Sequence, residues 1–156
     1  MSNLHLYTRD GSIIIKMRLD LAPKHIERIV ELAKRGFYDG VPFHRVIEGF
    51  MAQTGDPSGT GQGGADLSGF PDLKAEFSDA PFKRGTVGMA RANDPDSGNC
   101  QFFICFAPAP QLNGQYTVWG EVVDGMENVD KIKCGEPPGA SRPDHRSLRD
   151  LIRGNI

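Results

Sequence analysis

The sequence predicts a mainly β domain: a closed or nearly closed antiparallel barrel with few helices. Several short segments alternate apolar and polar residues at the period of a strand, and only two segments show the period of a helix. The 19 glycines and 11 prolines are spread along the chain, which suits short strands joined by tight turns. Closure is favoured because an open sheet leaves unpaired strand edges.

The first predicted element is a β-hairpin. Leu4 and Leu6 alternate with the residues beside them, and Asp10-Gly11 indicates a turn. After that turn, the apolar side chains at positions 13, 15, 17 and 19 share one face of a strand. Further strands are predicted at residues 43–47, 50–54, 86–90, 101–106 and 117–123, and the tail 142–153 is expected to carry a last strand or a helical turn.

Two segments are predicted to be helical. The apolar residues at 26, 29, 30 and 33 share one face of a helix over residues 23–35. Pro23 suits the first turn of that helix, and Gly36 suits the left-handed residue that ends one. A second, shorter helix is predicted over 126–133, with Val129 and Ile132 facing the core.

The composition narrows the class of protein. A chain of 156 residues is expected to form one domain over residues 1–156. Eighteen basic and 20 acidic residues give a net charge of -2, which argues against nucleic-acid binding and against electrostatic attachment to a membrane. No apolar run is long enough to cross a bilayer, and the N-terminus lacks the layout of a signal peptide. Three cysteines without a Cys-x-x-Cys pair favour a reducing compartment, so a cytoplasmic location is predicted.

Three patterns suggest a cofactor or a metal and are interpreted otherwise. Residues 59–64 match G-x-G-x-x-G, but without the preceding strand and following helix of a dinucleotide site, so a surface loop is predicted. His44 and Glu48 are four apart in a segment predicted to be a strand, where that spacing gives no chelate. Cys100 and Cys105 are interpreted as buried residues rather than zinc ligands. We therefore predict neither a metal nor a cofactor.

Three segments carry the most specific signal in the chain. They are 43–56, FHRVIEGFMAQTGD; 88–92, GMARA; and 97–104, SGNCQFFI. Their order and spacing, with YDG at 38–40, LNG at 112–114 and VWGEV at 118–122, resemble the cyclophilin-type peptidyl-prolyl cis-trans isomerases. The resemblance runs from about residue 4 to about residue 132. It implies a closed eight-stranded antiparallel barrel capped by two α-helices, and an enzyme that rotates X-Pro bonds and assists protein folding.

The same resemblance implies a set of site residues. Arg45 matches the catalytic arginine, and Gln53 the glutamine that hydrogen-bonds the substrate. A proline pocket, a stretch of backbone that pairs with the bound peptide, and neighbours of the groove complete the substrate-binding set: His44, Phe50, Met51, Ala90, Arg91, Gln101, Phe103, Gln111, Leu112 and Tyr116.

The chemistry of these residues suits the reaction. Amide resonance sets a barrier of about 18 to 20 kcal/mol to rotation of an X-Pro bond, and no covalent bond has to break. An enzyme needs only to bind the twisted bond better than either planar form. A guanidinium such as that of Arg45 can stabilise the lone pair that the twisted proline nitrogen gains. Taken singly, however, Met51 and Phe103 would be core residues and Arg45 a surface charge; only the whole pattern makes them a site.

Two positions depart from many animal members. Gln111 stands where those proteins have a tryptophan that closes the end of the groove, and Tyr116 where they have a histidine. Loss of the indole predicts weak binding of cyclosporin. The loop at 56–59 also looks shorter than in those members.

The expected partners are proline-containing peptides and unfolded or flexible protein segments, bound by a monomer. A peptide-binding scaffold in which turnover is incidental remains an alternative, although no catalytic position looks eroded. A nucleotide-dependent enzyme rests only on the glycine loop.

Overall fold

A computed structural model describes residues 3–8, 10–61, 65–132 and 151–155. Within these residues the strands are β1 Asn3–Thr8, β2 Gly11–Met17, β3 Arg45–Ile47, β4 Met51–Thr54, β5 Thr86–Met89, β6 Phe102–Cys105, β7 Val118–Asp124 and β8 Leu151–Asn155. The helices are α1 Pro23–Lys34, α2 Ala65–Ser68 and α3 Met126–Asp130, with a 3-10 turn at Pro110–Leu112. The mainly β prediction is confirmed.

The strands form one antiparallel sheet in the order β3-β4-β6-β5-β7-β2-β1-β8, seven of them lying between residues 3 and 124. The prediction of a closed barrel is wrong: across the described residues, β3 pairs with β4 alone and β8 with β1 alone, so the sheet is curled but open. Alternation identifies a strand but does not say which edges meet, and β3 offers only three residues for pairing. Of the strand and the helical turn given as alternatives for the tail, the strand forms, as β8, while 142–150 lie outside the described residues.

The first helix begins and ends nearly as predicted. Pro23 is in its first turn, and Gly36, just beyond its end, has a left-handed φ of 73°. Ala22 provides no side-chain cap, so Glu76 from the 74–80 loop takes that role by accepting the backbone N–H groups of Lys24 and His25 at 3.4 and 2.9 Å. This contact attaches the loop to the helix.

The other helical segments differ from the prediction. Helix α3 ends at Asp130, because the N–H groups of Lys131 and Ile132 turn to carbonyls three residues back, and Lys133 lies outside the described residues. Helix α2 was not predicted; it is a single turn that follows the glycine-rich segment. Residues 59–61 of that segment form a loop, as predicted, and 62–64 lie outside the described residues.

The core lies between the concave face of the sheet and α1. The helix contributes Ile26, Ile29 and Leu32, and the largest fully buried side chain is Trp119 on β7. Leu19 was predicted to share the buried face of β2, but the strand ends at Met17 and Leu19 is 54% exposed. A second apolar cluster lies on the other face of the sheet, around Met51, Phe82, Phe103, Cys105, Ala109 and Val118.

The two cysteines among the described residues are buried, as the sequence predicted. Cys100 and Cys105 are free and buried, and burial raises the pKa of each thiol to about 12, so neither is a thiolate at neutral pH. Cys134 lies outside the described residues. The described part of the chain contains no cluster of three or more His, Cys, Asp or Glu side chains suited to a metal ion. Nor does that part contain a helix with the length and apolar character needed to span a membrane.

The contact between α1 and the 74–80 loop includes a buried histidine. His25 is 1% exposed, and its Nδ1 lies 2.6 Å from Oε1 of Glu76. Burial lowers the pKa of His25 below its ordinary value, and the hydrogen bond to Glu76 opposes that effect without cancelling it. The folded protein therefore holds this ring in its neutral form at neutral pH.

This burial predicts a loss of stability in mild acid. Below the ordinary histidine pKa of about 6.5 the unfolded chain takes up a proton that the folded ring resists, so the unfolded state is favoured as the pH falls. We expect the free energy of unfolding, measured by urea titration, to be level above about pH 7.5 and to fall between about pH 6.5 and 5. A His25→Gln variant should show a shallower fall; identical slopes for variant and wild type would contradict this assignment.

Candidate active site

A cleft of about 370 Å³ lies on the outer face of the sheet, beside β3, β4 and β6. Its lining joins a polar side to an apolar side and comes from strands and from the loops that follow them. The lining residues are His44, Arg45, Phe50, Met51, Gln53, Thr60, Gly61, Ala90, Arg91, Phe103, Leu112 and Tyr116.

The register of the sheet places three of these side chains in one row. Arg45 of β3 is opposite Gln53 of β4, and Gln53 is opposite Phe103 of β6. Directly opposed residues project from the same face, so a guanidinium, an amide and a phenyl ring stand side by side. The row ends at Gly88 of β5, opposite Phe103.

The apolar side of the cleft has a rigid base. Met51 and Phe103 are 3% and 5% exposed. The Phe103 ring stacks on Phe82 at 5.7 Å between centroids and meets Tyr116 edge-to-face at 5.8 Å. Leu112 reaches the cleft from the 3-10 turn Pro110–Leu112. The contacts with Phe82 and Tyr116 hold the Phe103 ring in one orientation at the cleft.

The polar side is fixed by a chain of hydrogen bonds. Gln53 donates from Nε2 to Oε1 of Gln101 at 2.9 Å, and Gln101 donates from its own Nε2 to the carbonyl of Gly61 at 3.2 Å. The buried carboxylate of Asp56 accepts the N–H of Gly61 at 2.7 Å and the N–H of Ser58 at 2.8 Å. The amide of Gln53 is therefore oriented before any ligand binds.

His44 lies under the loop that carries Gly61. It is 3% exposed, and burial lowers the pKa of its imidazole, with the charge of Arg45 acting in the same direction and that of Asp56 opposing it. The ring is therefore neutral at neutral pH, and it adds no positive charge beside Arg45.

Ten of the twelve residues expected at the site line this cleft. Gln101 instead lies behind Gln53 and orients it, and Gln111 is exposed and lies outside the lining. Thr60 and Gly61 line the cleft but were not expected there. The one sequence signal for them was the position of their loop, directly after the strand that carries Gln53.

Comparison with protein families agrees with this geometry. The family model described as "Cyclophilin type peptidyl-prolyl cis-trans isomerase/CLD" matches residues 3–149. The chain belongs to this family. As a cyclophilin-type enzyme it is an isomerase that catalyses the cis-trans isomerisation of prolyl peptide bonds.

Individual relatives support the same assignment. A "Probable peptidyl-prolyl cis-trans isomerase" of Brucella suis is 55% identical over 141 residues, which cover 83% of this chain and 70% of that protein. "Peptidyl-prolyl cis-trans isomerase-like 1" of Bos taurus is 40% identical over 148 residues, covering 90% and 85%.

Solved cyclophilin structures share the fold. A Cryptosporidium parvum cyclophilin-type isomerase has a TM-score of 0.82 at 26% identity and covers 99% of each chain. The crystal structure of that isomerase in the presence of the dipeptide Ala-Pro has a TM-score of 0.78 at 28% identity and covers 91% of each chain.

Proposed function

We propose that the cleft is the catalytic groove of this cyclophilin and that Arg45 and Gln53 are its catalytic side chains. The row Arg45-Gln53-Phe103 carries the proposal, because it sets a permanent charge and a fixed amide beside a buried ring. The proline ring packs against Phe103 and Met51, with Phe50 and Leu112 completing the pocket. In that position the guanidinium of Arg45 faces the prolyl nitrogen.

The reaction in this groove is non-covalent. Rotation removes the amide resonance, so the nitrogen of the twisted bond becomes pyramidal and gains a lone pair. The guanidinium of Arg45 donates a hydrogen bond to that lone pair, which neither planar form offers. The interaction is therefore stronger in the transition state than in the ground states, which is the condition for raising kcat. The apolar wall excludes water and strengthens it. No step requires a metal or a cofactor.

Gln53 has a different task. Its amide, oriented by Gln101, binds a substrate carbonyl beside the proline and holds that side of the bond still while the other side turns. Because Gln101 and the Asp56-organised loop fix Gln53 in advance, little side-chain entropy is lost on binding. The backbone of Ala90 and Arg91 pairs with the extended peptide along the rim.

The substrates we propose are proline-containing peptides and unfolded or flexible protein segments. The Ala-Pro dipeptide used with the Cryptosporidium parvum relative supports this class. We further propose that the chain acts as a monomer, as a single domain over residues 1–156 and in the cytoplasm, and that through this activity it assists folding steps limited by proline isomerisation.

Peptide titration tests the location of the groove. A blocked Ala-Ala-Pro-Phe peptide added to labelled protein should shift the backbone amide resonances of β4, β6 and the 88–92 segment. The same samples should show exchange between the cis and trans peptide resonances. If the amide shifts were confined to α1 while exchange was still catalysed, the catalytic groove would lie elsewhere on the protein and the proposal would be overturned.

Cyclosporin binding gives a second test of the groove. Gln111 lies outside the cleft lining, and its side chain has neither the large apolar surface nor the indole N–H of the tryptophan found in many animal members. We expect calorimetry to give a dissociation constant in the micromolar range or weaker, and a Gln111→Trp variant to bind more tightly. Nanomolar binding by the wild type would contradict the prediction.

A further inference from the structure

Arg91 occupies a fixed position at the rim of the cleft. Its guanidinium carbon lies 4.4 Å from the centre of the Tyr116 ring. The Nε and Nη2 groups donate to the carbonyl of Gln115 at 3.1 and 2.7 Å, and Nη1 donates to the carbonyl of Ala92 at 2.9 Å and to that of Asn93 at 3.3 Å. Stacking and several hydrogen bonds hold this cation in one place, unlike a mobile surface arginine.

The hydrogen bonds leave its charge uncompensated by any carboxylate in the cleft. The acceptors of Arg91 are backbone carbonyls, which are dipoles rather than anions. Of the described residues that line the cleft, two are arginines and none is Asp or Glu, although the whole chain has a net charge of -2. The nearby carboxylates of Asp94 and Asp96 accept the backbone N–H groups of Asp96 and Ala75, and neither lines the cleft.

The position of Arg91 relative to the proline pocket determines which part of a substrate it can reach. The guanidinium of Arg91 lies over the face of the Tyr116 ring. The same Tyr116 ring meets the buried ring of Phe103 edge-to-face, at 5.8 Å between centroids. Arg91 therefore stands one side chain away from the proposed proline pocket. Neighbouring residues of an extended peptide are about 3.8 Å apart at Cα, so the side chain of a residue next to the proline can span this distance.

We propose that Arg91 is a specificity-determining residue that makes this enzyme prefer substrates with Asp or Glu adjacent to the proline. The inference rests on the proposed function, since it takes the cleft as the catalytic groove. A substrate carboxylate beside the proline meets the guanidinium of Arg91, which is already held in place. No Asp or Glu among the described lining residues competes with it for that guanidinium. The gain corresponds to one partly exposed ion pair, about two- to fivefold in kcat/KM.

The test compares peptides that differ only in charge beside the proline. Blocked peptides Ala-Gln-Pro-Gln-Ala, Ala-Glu-Pro-Gln-Ala, Ala-Gln-Pro-Glu-Ala and the corresponding Lys peptides are followed by NMR exchange spectroscopy, because a protease-coupled assay has its own sequence preference. Each rate is referred to the enzyme-free rate of the same peptide. The wild type is expected to favour at least one Glu peptide over the Gln peptide by about two- to fivefold, less at high salt.

Variants assign that preference to Arg91. The ratio between Glu and Gln peptides is expected to approach one in Arg91→Gln and to invert in favour of Lys peptides in Arg91→Glu. Arg91→Lys, which keeps the charge but not the planar fork, should retain part of the preference. Arg35→Gln is the matched control, because it removes a cation just beyond the end of α1, outside the cleft lining, and should leave the ratio unchanged. Comparing ratios within each variant cancels any change in overall activity.

Each outcome is decisive. Equal wild-type rates for all Glu and Gln peptides overturn the inference, as does a preference that survives in folded Arg91→Glu. If the wild type accelerates none of the peptides, including the neutral one, the proposed function fails instead.

Discussion

An Arg45→Ala variant is expected to lose about two to three orders of magnitude in kcat/KM for a neutral proline peptide, the cost typical of removing one pre-organised donor to a transition state. The loss should fall mainly on kcat, because the lone pair that Arg45 stabilises exists only in the twisted bond. Arg45 is exposed and lies on the short edge strand β3, so its truncation removes little packing, and the variant is expected to remain folded.

Arg45→Lys tests whether catalysis needs the planar guanidinium or only a positive charge at this position, and Arg35→Ala serves as the control. Arg45→Lys keeps the positive charge but replaces a planar fork with a mobile point charge, and it should recover only part of the lost rate. Arg35→Ala, which removes a cation outside the cleft lining, should match the wild type. A folded Arg45→Ala protein as fast as the wild type would rule out the proposed mechanism and leave the cleft as a binding groove without this catalytic contact.

The strands and the long helix could be predicted because their patterns are local. The predicted strand 101–106, an almost uninterrupted apolar run, forms β6 at Phe102–Cys105, and a helical period with a terminal glycine predicted α1 to within one residue. Whether the sheet closes into a barrel could not be decided from local patterns, since pairing between β3 and β8 depends on how strongly the sheet curls. The single turn of α2 offered too short a segment for any periodicity to show.

The site required a different kind of information. The motifs identified Arg45, Gln53 and Phe103, but only the strand register aligns them in one row, and a sequence does not state which residues stand opposite each other. Similarly, Gln101 was placed in the groove by its motif, whereas its hydrogen bonds put it behind Gln53. The stacking of Arg91 on Tyr116 joins residues 25 apart in sequence, and no local pattern reveals such a contact.

A Gly88→Ala variant is expected to impair both stability and activity, because the rings of Phe82 and Phe103, the aromatic base of the cleft, occupy the space where a Cβ at position 88 would lie. A Cβ at this position would lie 2.8 Å from Cζ of Phe103 and 2.8 Å from Cε1 of Phe82. Real Cβ atoms do not approach rings so closely, so one of the two rings must move. Overpacking of this kind costs about 1 to 3 kcal/mol of unfolding free energy. Since Phe103 borders the open cleft while Phe82 is enclosed, Phe103 moves into the proline pocket.

Two variants separate that displacement from simple destabilisation. Gly120→Ala is the matched control: its Cβ would lie 2.7 Å from Cγ2 of Ile15, on the core side of the sheet, so it should lower stability similarly while leaving kcat/KM per folded molecule unchanged. Adding Phe82→Leu to Gly88→Ala removes ring atoms from the crowded side and should restore part of the activity by letting Phe103 return. Urea unfolding and the exchange assay measure the two effects separately. Full activity in folded Gly88→Ala would mean that the position of Phe103 does not control catalysis, and the aromatic base would then serve the fold alone.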